Sequence, residues 1–207
     1  YIDEYNQAQV SMNLTNYKIT SIHKAFEAVS LAARKRGLRV TGSEIVGLLP
    51  LEPLLEAGKY YISKQKTSLS VPENEIVDIA IKSLGLTEIS DFKPNEKIID
   101  YILERDNKEL ANLSVESFVD EVSSSSPAPG GGSVSALSGS LGAALMSMVA
   151  NLTYNKKGYE EYNQKISDIG ISAQKLKKDL LILIDEDTRA FDGIMNAFRM
   201  PKKTDEE

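Results

Sequence analysis

The sequence predicts two structural classes in one chain, an α+β or α/β layer that is short of strands followed by an all-α domain. Three observations carry this. Strand-like segments occur only before residue 50, where two of them alternate with helical patterns. From about Leu113 onward no strand pattern returns. Between the halves lies a polar run, DNKELANL (residues 106–113), where the class changes. The expected division is therefore residues 1–106, a connector at 107–113, and residues 114–207.

The elements follow in order. AQVSMNLTNY (residues 8–17) alternates small or apolar with polar residues and is expected to be a strand. Thr20 and Ser21 can cap a helix over residues 22–36, whose apolar positions Ile22, Phe26, Val29 and Ala33 recur at helical steps and which Gly37 ends. LRVTGSEIVGLLP (residues 38–50) reads as a second strand breaking into a glycine-bearing turn. LEPLLEAGKYYISKQ is a second helix, with Pro53 tolerable only in its first turn. IVDIAIKSLGL is a third, preceded by the acidic run PENE and closed at Gly85. FKPNEKIIDYILER is expected to form one more short helix. Two strands are too few for an independent sheet, so further strands are expected before Tyr1. The opening on Tyr1 rather than Met, and the helix-start character of the final PKKTDEE, suggest a fragment. In the second half, LSVESFVDEV opens with Ser114 as cap, and helices are expected at about residues 133–152 and 159–187, continuing through Phe198.

Composition removes several function classes. The 207 residues carry a net charge of -6 and 42% hydrophobic residues, a globular balance with little basic surface for nucleic acid. Cysteine is absent, which excludes disulfides, thiolate metal sites and a cysteine nucleophile. One histidine, His23, argues against a histidine-built metal site, and no partner pattern around it suggests more than a structural or surface role.

The segment SSSSPAPGGGSVSALSGSLGAALMSMV (residues 123–149) has no charge. Gly130, Gly131, Gly132 and Ser133 stand where its helix starts, so unpaired N–H groups and a partial positive charge would face a carboxylate, a phosphate or an electron-rich ring edge. A flexible linker ending in a capping serine has the same composition. The lysine of a P-loop is missing. Behind the glycines, Ser135, Gly139 and Gly142 form a small-residue seam, and Val134, Leu137, Leu141, Leu145 and Met148 an apolar one. This predicts a helix buried on most sides. Its serines argue for a soluble core helix rather than a membrane span.

Phasing of KKDLLILIDEDTRAFDGIMNAF places Leu180, Leu183, Ile184, Phe191, Ile194 and Phe198 on one stripe, with Asp187 among them. Asp185, Arg189 and Asp192 fall on another face, where Asp185 and Arg189 can pair at four-residue spacing. The expectation is a surface Asp185 and a core-directed Asp187, a proton donor if desolvation disfavours its charged form. An aspartate held by hydrogen bonds, or capping a neighbouring helix, fits the same placement.

PAPGGGSVSALSGSLGAALMSMVANLTY and LIDEDTRAFDGIMNAFRMPKKTDEE resemble the opening of the cyclodeaminase domain of the formiminotransferase-cyclodeaminase family, folate enzymes of histidine breakdown. AQVSMNLTNY, VTGSEIVGLLPLEPLLEAG and FKPNEKIIDYIL resemble the second subdomain of that family's transferase domain, in the family's order. The resemblance implies an incomplete, ferredoxin-like α+β subdomain followed by a truncated helical cyclodeaminase-type domain. It implies transfer of a formimino group from N-formimino-glutamate to tetrahydrofolate as co-substrate, then closure to 5,10-methenyl-tetrahydrofolate with release of ammonia. It further implies Asp187 as the cyclodeaminase acid, and Gly130, Gly131, Gly132 and Ser133 as part of the folate site. No metal, nucleic acid or membrane is implied, and a cytoplasmic homo-oligomer built on dimers is. The family's transfer base is a histidine of the first subdomain, which His23 does not match, so the segment alone is expected to be inactive. A methenyl-tetrahydrofolate cyclohydrolase and a non-catalytic helical oligomerisation module are the alternatives.

Overall fold

The structure is a computed structural model that describes residues 1–3, 6–104 and 109–200. The chain divides into two compact units, Tyr1–Glu104 and Arg105–Glu207. The end of the expected first domain, residues 105–106, the first two residues of the expected connector, 107–108, and the terminal PKKTDEE lie outside the described residues.

In the first unit, α1 (Ile22–Arg34) ends where Gly37 adopts a φ of 72° and the Leu38 N–H returns to the Ala33 carbonyl at 3.0 Å. The α2 helix (Leu51–Lys64) carries Pro53 in its first turn, where the missing N–H costs nothing. The Leu51 N–H, which has no acceptor inside the helix, is taken by Asp100 Oδ2 at 2.7 Å. The α3 helix (Glu73–Leu84) has Glu73 and Glu75 at its positive end and closes on Gly85 at φ 61°. Leu54, Ala57 and Tyr61 of α2 pack on Val77, Ala80, Ile81 and Leu84 of α3 to make the core. Gly58 permits that approach, because a Cβ there would overlap the Ile76 carbonyl and lie 2.6 Å from Ile76 Cγ2.

The single helix expected over residues 92–105 is two, α4 (Pro94–Lys97) and α5 (Ile99–Glu104). Ile98 is extended between them because it is used in a bridge: the Leu49 N–H donates to Lys97 O, and the Ile99 N–H donates to Leu49 O. The expected strands are not formed among the described residues. Residues 8–17 are largely exposed and unladdered, and residues 38–50 contribute only the isolated parallel bridge Leu49–Ile98. A strand is stabilised by its neighbours across the ladder, so alternation without a paired neighbour leaves extended coil. The first unit is helical among the described residues, and no sheet is formed there.

The second unit opens with α6 (Val115–Val122), capped as expected by Ser114 Oγ accepting from the Ser117 N–H at 3.0 Å. Two long helices follow, α7 (Gly131–Thr153) and α8 (Asn163–Phe198), with a 3₁₀ turn at Glu160–Tyr162 leading into α8. They run antiparallel: Ser133 meets Ile184, Ser140 meets Lys177, and Ser147 meets Gln174. The buried face of α7 is Ser133, Ala136, Ser140, Ala143, Ser147 and Ala150, alternating three- and four-residue steps. Opposite them, α8 buries Ser167, Gly170 and Ala173. Small side chains on both helices allow close backbone approach.

This register corrects the expected seam. Ser135, Gly139 and Gly142 are on exposed positions, although a Cβ at Gly139 would still crowd Leu180 Cδ1 at 3.1 Å. The helix is not buried on most sides either, since Leu141 and Leu145 are each 59% exposed and Leu152 is 71% exposed. Among the described residues α7 is the one helix long and apolar enough, by length and composition, to cross a membrane.

Candidate functional site

The start of α7 and the third quarter of α8 meet around one carboxylate. The chain reaches α7 through a cis Ala128–Pro129 bond and an extended Gly130, and the first intrahelical bond runs from the Val134 N–H to Gly130 O. The N–H groups of Gly131, Gly132 and Ser133 therefore have no acceptor within the helix. Asp187 of α8 supplies one: its Oδ2 accepts from the Ser133 N–H at 2.8 Å and lies 3.1 Å from Ser133 Oγ. Gly131 and Gly132 are exposed, and their N–H groups point out of the helix start beside the carboxylate.

The three glycines do not share one reason. None has a positive φ, so backbone conformation does not explain them. A Cβ on Gly131 would meet open space, and one on Gly130 only Pro127 O at 3.9 Å. At Gly132 a Cβ would overlap the Asp187 carboxylate, 2.5 Å from Oδ2. The need for glycine is thus local to Gly132, where α7 lets a side chain from α8 lie against its backbone.

Asp187 is exposed rather than driven into the core. The stripe on which phasing placed it is only partly covered: Ile184 is buried, whereas Leu183, Ile194 and Phe198 are exposed. Capping of a neighbouring helix, the alternative weighed from sequence, is what the carboxylate does. Ser133 is fully buried, with its hydroxyl on Ile184 O at 2.9 Å, Asp187 Oδ2, and Thr188 Oγ1 at 3.1 Å. Its hydroxyl is thus turned onto α8.

Asp185 reverses its expectation of a surface position, being only 4% exposed. Its Oδ1 accepts from the N–H groups of Glu109 at 3.0 Å and Leu110 at 2.7 Å, and its Oδ2 accepts from Ala111 at 3.3 Å. Leu110 and Ala111 in turn pack with Phe118, Ala136 and Ile184. Residues 109–111 are therefore latched onto α8 next to the turn that carries Asp187. Sequence reasoning missed this because the three donors are 74 to 76 residues away.

His23 is buried at 4% exposure and stacks on Tyr60 with 4.5 Å between ring centroids. Its Nε2 lies 3.2 Å from Ser21 Oγ. Burial lowers its pKa and keeps the ring neutral, as befits a packing residue. Among the described residues no group of three histidine, aspartate or glutamate side chains could hold a metal ion. A shallow recess of about 360 Å³ between Met146, Lys165, Ile169 and Leu176 lies far along the helix pair from Asp187, and Lys165 and Asp168 leave it no set of buried polar groups.

Comparison with known proteins gives matches along almost the whole chain. The formiminotransferase domain model matches residues 1–104, and the model described as formiminotransferase-cyclodeaminase matches residues 114–207. A formimidoyltransferase-cyclodeaminase of Dictyostelium discoideum is 44% identical over 205 residues, covering 98% of this chain and 38% of that protein. One from Mus musculus is 38% identical over 209 residues, again covering 38% of its own length. A methenyltetrahydrofolate cyclohydrolase of Methylorubrum extorquens is 45% identical over 96 residues, which is 46% of each chain. The chain thus spans about two fifths of the full-length relatives it matches. Since one domain model accounts for the first unit and the second takes up again at Ser114, where α6 is capped, the chain belongs to the formiminotransferase-cyclodeaminase family.

Proposed function

We propose that the complete protein carrying this chain transfers a formimino group from N-formimino-glutamate to tetrahydrofolate and then closes 5-formimino-tetrahydrofolate to 5,10-methenyl-tetrahydrofolate, releasing ammonia. The observation that carries the second step is the Asp187 carboxylate lying on the first-turn N–H of α7 across Gly132. The Ser133 N–H holds the carboxylate in place, and in this reading it acts first as a base. In ring closure N10 attacks the formimino carbon and passes its proton to Asp187. The formimino nitrogen takes that proton and one more from solvent, its bond to carbon breaks, and ammonia leaves a cationic methenyl bridge. One carboxylate thus serves as base and then as acid. The N–H groups of Gly131 and Gly132 are free to hold an electron-rich edge of the folate.

The α+β, ferredoxin-like arrangement of residues 1–106 belongs to the same proposal, with residues 8–17 and 38–50 pairing in the whole protein. So do the cytoplasmic setting and a homo-oligomer built on dimers, which the uncovered Leu141, Leu145 and Leu152 of α7 support. The Methylorubrum relative favours a second reading, hydrolysis of the methenyl bridge by residues 114–207. The complete protein given 5-formimino-tetrahydrofolate is expected to release ammonia in step with the methenyl product. Loss of methenyl-tetrahydrofolate without ammonia release from the formimino compound would select hydrolysis instead.

A further inference from the structure

Ser133 Oγ has three oxygen neighbours and a single proton. Ile184 O at 2.9 Å can only accept. Asp187 Oδ2 at 3.1 Å accepts when ionised and can donate when protonated, and Thr188 Oγ1 at 3.1 Å can do either. The serine is fully buried, so water does not compete for these positions. Two complete arrangements follow without moving a heavy atom. With Asp187 ionised, Ser133 donates to Oδ2 and accepts from Thr188. With a proton on Oδ2, Asp187 donates to Ser133, which turns its own proton to Ile184 O. The Ser133 N–H stays on Oδ2 in both.

We infer that Ser133 and Thr188 are positioning residues for the proton step, a hydroxyl pair that keeps Asp187 docked on α7 whether or not it holds the proton. This rests on the reading of Asp187 given above. A cap needs only the Ser133 N–H, whereas a group that gains and loses a proton in each turnover needs a neighbour able to reverse its hydrogen bond. Thr188 carried no signal in the sequence, since it lies one residue past Asp187 in an otherwise ordinary helix. Of the charged groups nearby in these elements, α7 has none, α6 carries Glu116, Asp120 and Glu121 as exposed residues, and on α8 the sequence neighbours are the latched Asp185, Glu186 and Arg189.

The test uses the complete protein and reads ammonia release against pH. Ser133→Ala removes a charge-assisted bond from the ionised carboxylate and a weaker one from the protonated form. The fall of kcat on the acid side should therefore move to higher pH, by about half to one unit, with kcat down roughly tenfold and KM within about twofold. Thr188→Val should shift the profile in the same direction, and Thr188→Ser should restore it. If Ser133→Ala lowers the melting temperature but keeps the wild-type pH profile, while Asp187→Asn abolishes ammonia release, Ser133 is a cap alone and the inference is overturned with the function left standing. If Ser133→Ala does not fold, Thr188→Val decides: a shifted profile supports the pair and an unshifted one overturns it. Full ammonia release by Asp187→Asn overturns the function and the inference together.

Discussion

Asp187→Asn in the complete protein is expected to cut ammonia release by ~10²–10⁴-fold, the usual worth of general acid–base help. The substitution keeps the shape, and the amide oxygen can still accept from the Ser133 N–H, so the start of α7 remains capped. On the proposed mechanism the loss is that of a group to take the N10 proton and return it to the departing nitrogen. Formimino transfer should be nearly unchanged, because residues 1–104 match the formiminotransferase domain and Asp187 lies in the other unit. Both rates measured on one preparation separate a chemical loss from a folding defect, since misfolding of the whole chain would lower them together.

The second large effect is on stability. Asp185→Ala should destabilise the second unit by about 3 kcal/mol or more, because it removes a buried acceptor and leaves three backbone N–H groups without one, each at a cost of about 1–3 kcal/mol when buried. The segment holding Leu110 and Ala111 then loses its tie to α8 and its packing on Phe118 and Ile184. Hydrogen exchange should report loss of protection at the amides of Glu109, Leu110 and Ala111, and a protease should cut there first. Retained protection with an unchanged melting temperature would mean that apolar packing alone holds the connector.

Legibility divides along the range of the interactions. Gly37, Pro53, Gly85 and the Ser114–Ser117 cap could be read from sequence because each acts within one turn of its own helix. The strands could not be settled that way, since alternation in residues 8–17 says which face is apolar and not whether a neighbour pairs with it. The packing face of α7 was misassigned for a different reason. Its contacts are made by serines and alanines, whereas the larger Leu141, Leu145 and Met148, which dominate any hydrophobic phasing, are exposed. Asp185 and Asp187 are two residues apart on one helix, and phasing correctly put them on different faces. Which face meets protein depends on Glu109–Ala111 for one and on Gly132–Ser133 for the other, and neither segment is near them in the chain.

The contact at Gly132 offers the most direct test of the view that a carboxylate docked on the start of α7 performs ring closure. Gly132→Ala removes no titratable or hydrogen-bonding group, and the added Cβ falls on the Asp187 carboxylate, the movable end of a side chain, so the fold should tolerate it. The measurement is the rate of ammonia release from 5-formimino-tetrahydrofolate by the complete protein carrying this one change. The rate should fall by at least about tenfold, in keeping with a displaced proton-transfer group, while formimino transfer and the melting temperature stay near wild type. Ammonia release at the wild-type rate would contradict it, because ring closure would then not depend on where Asp187 is held.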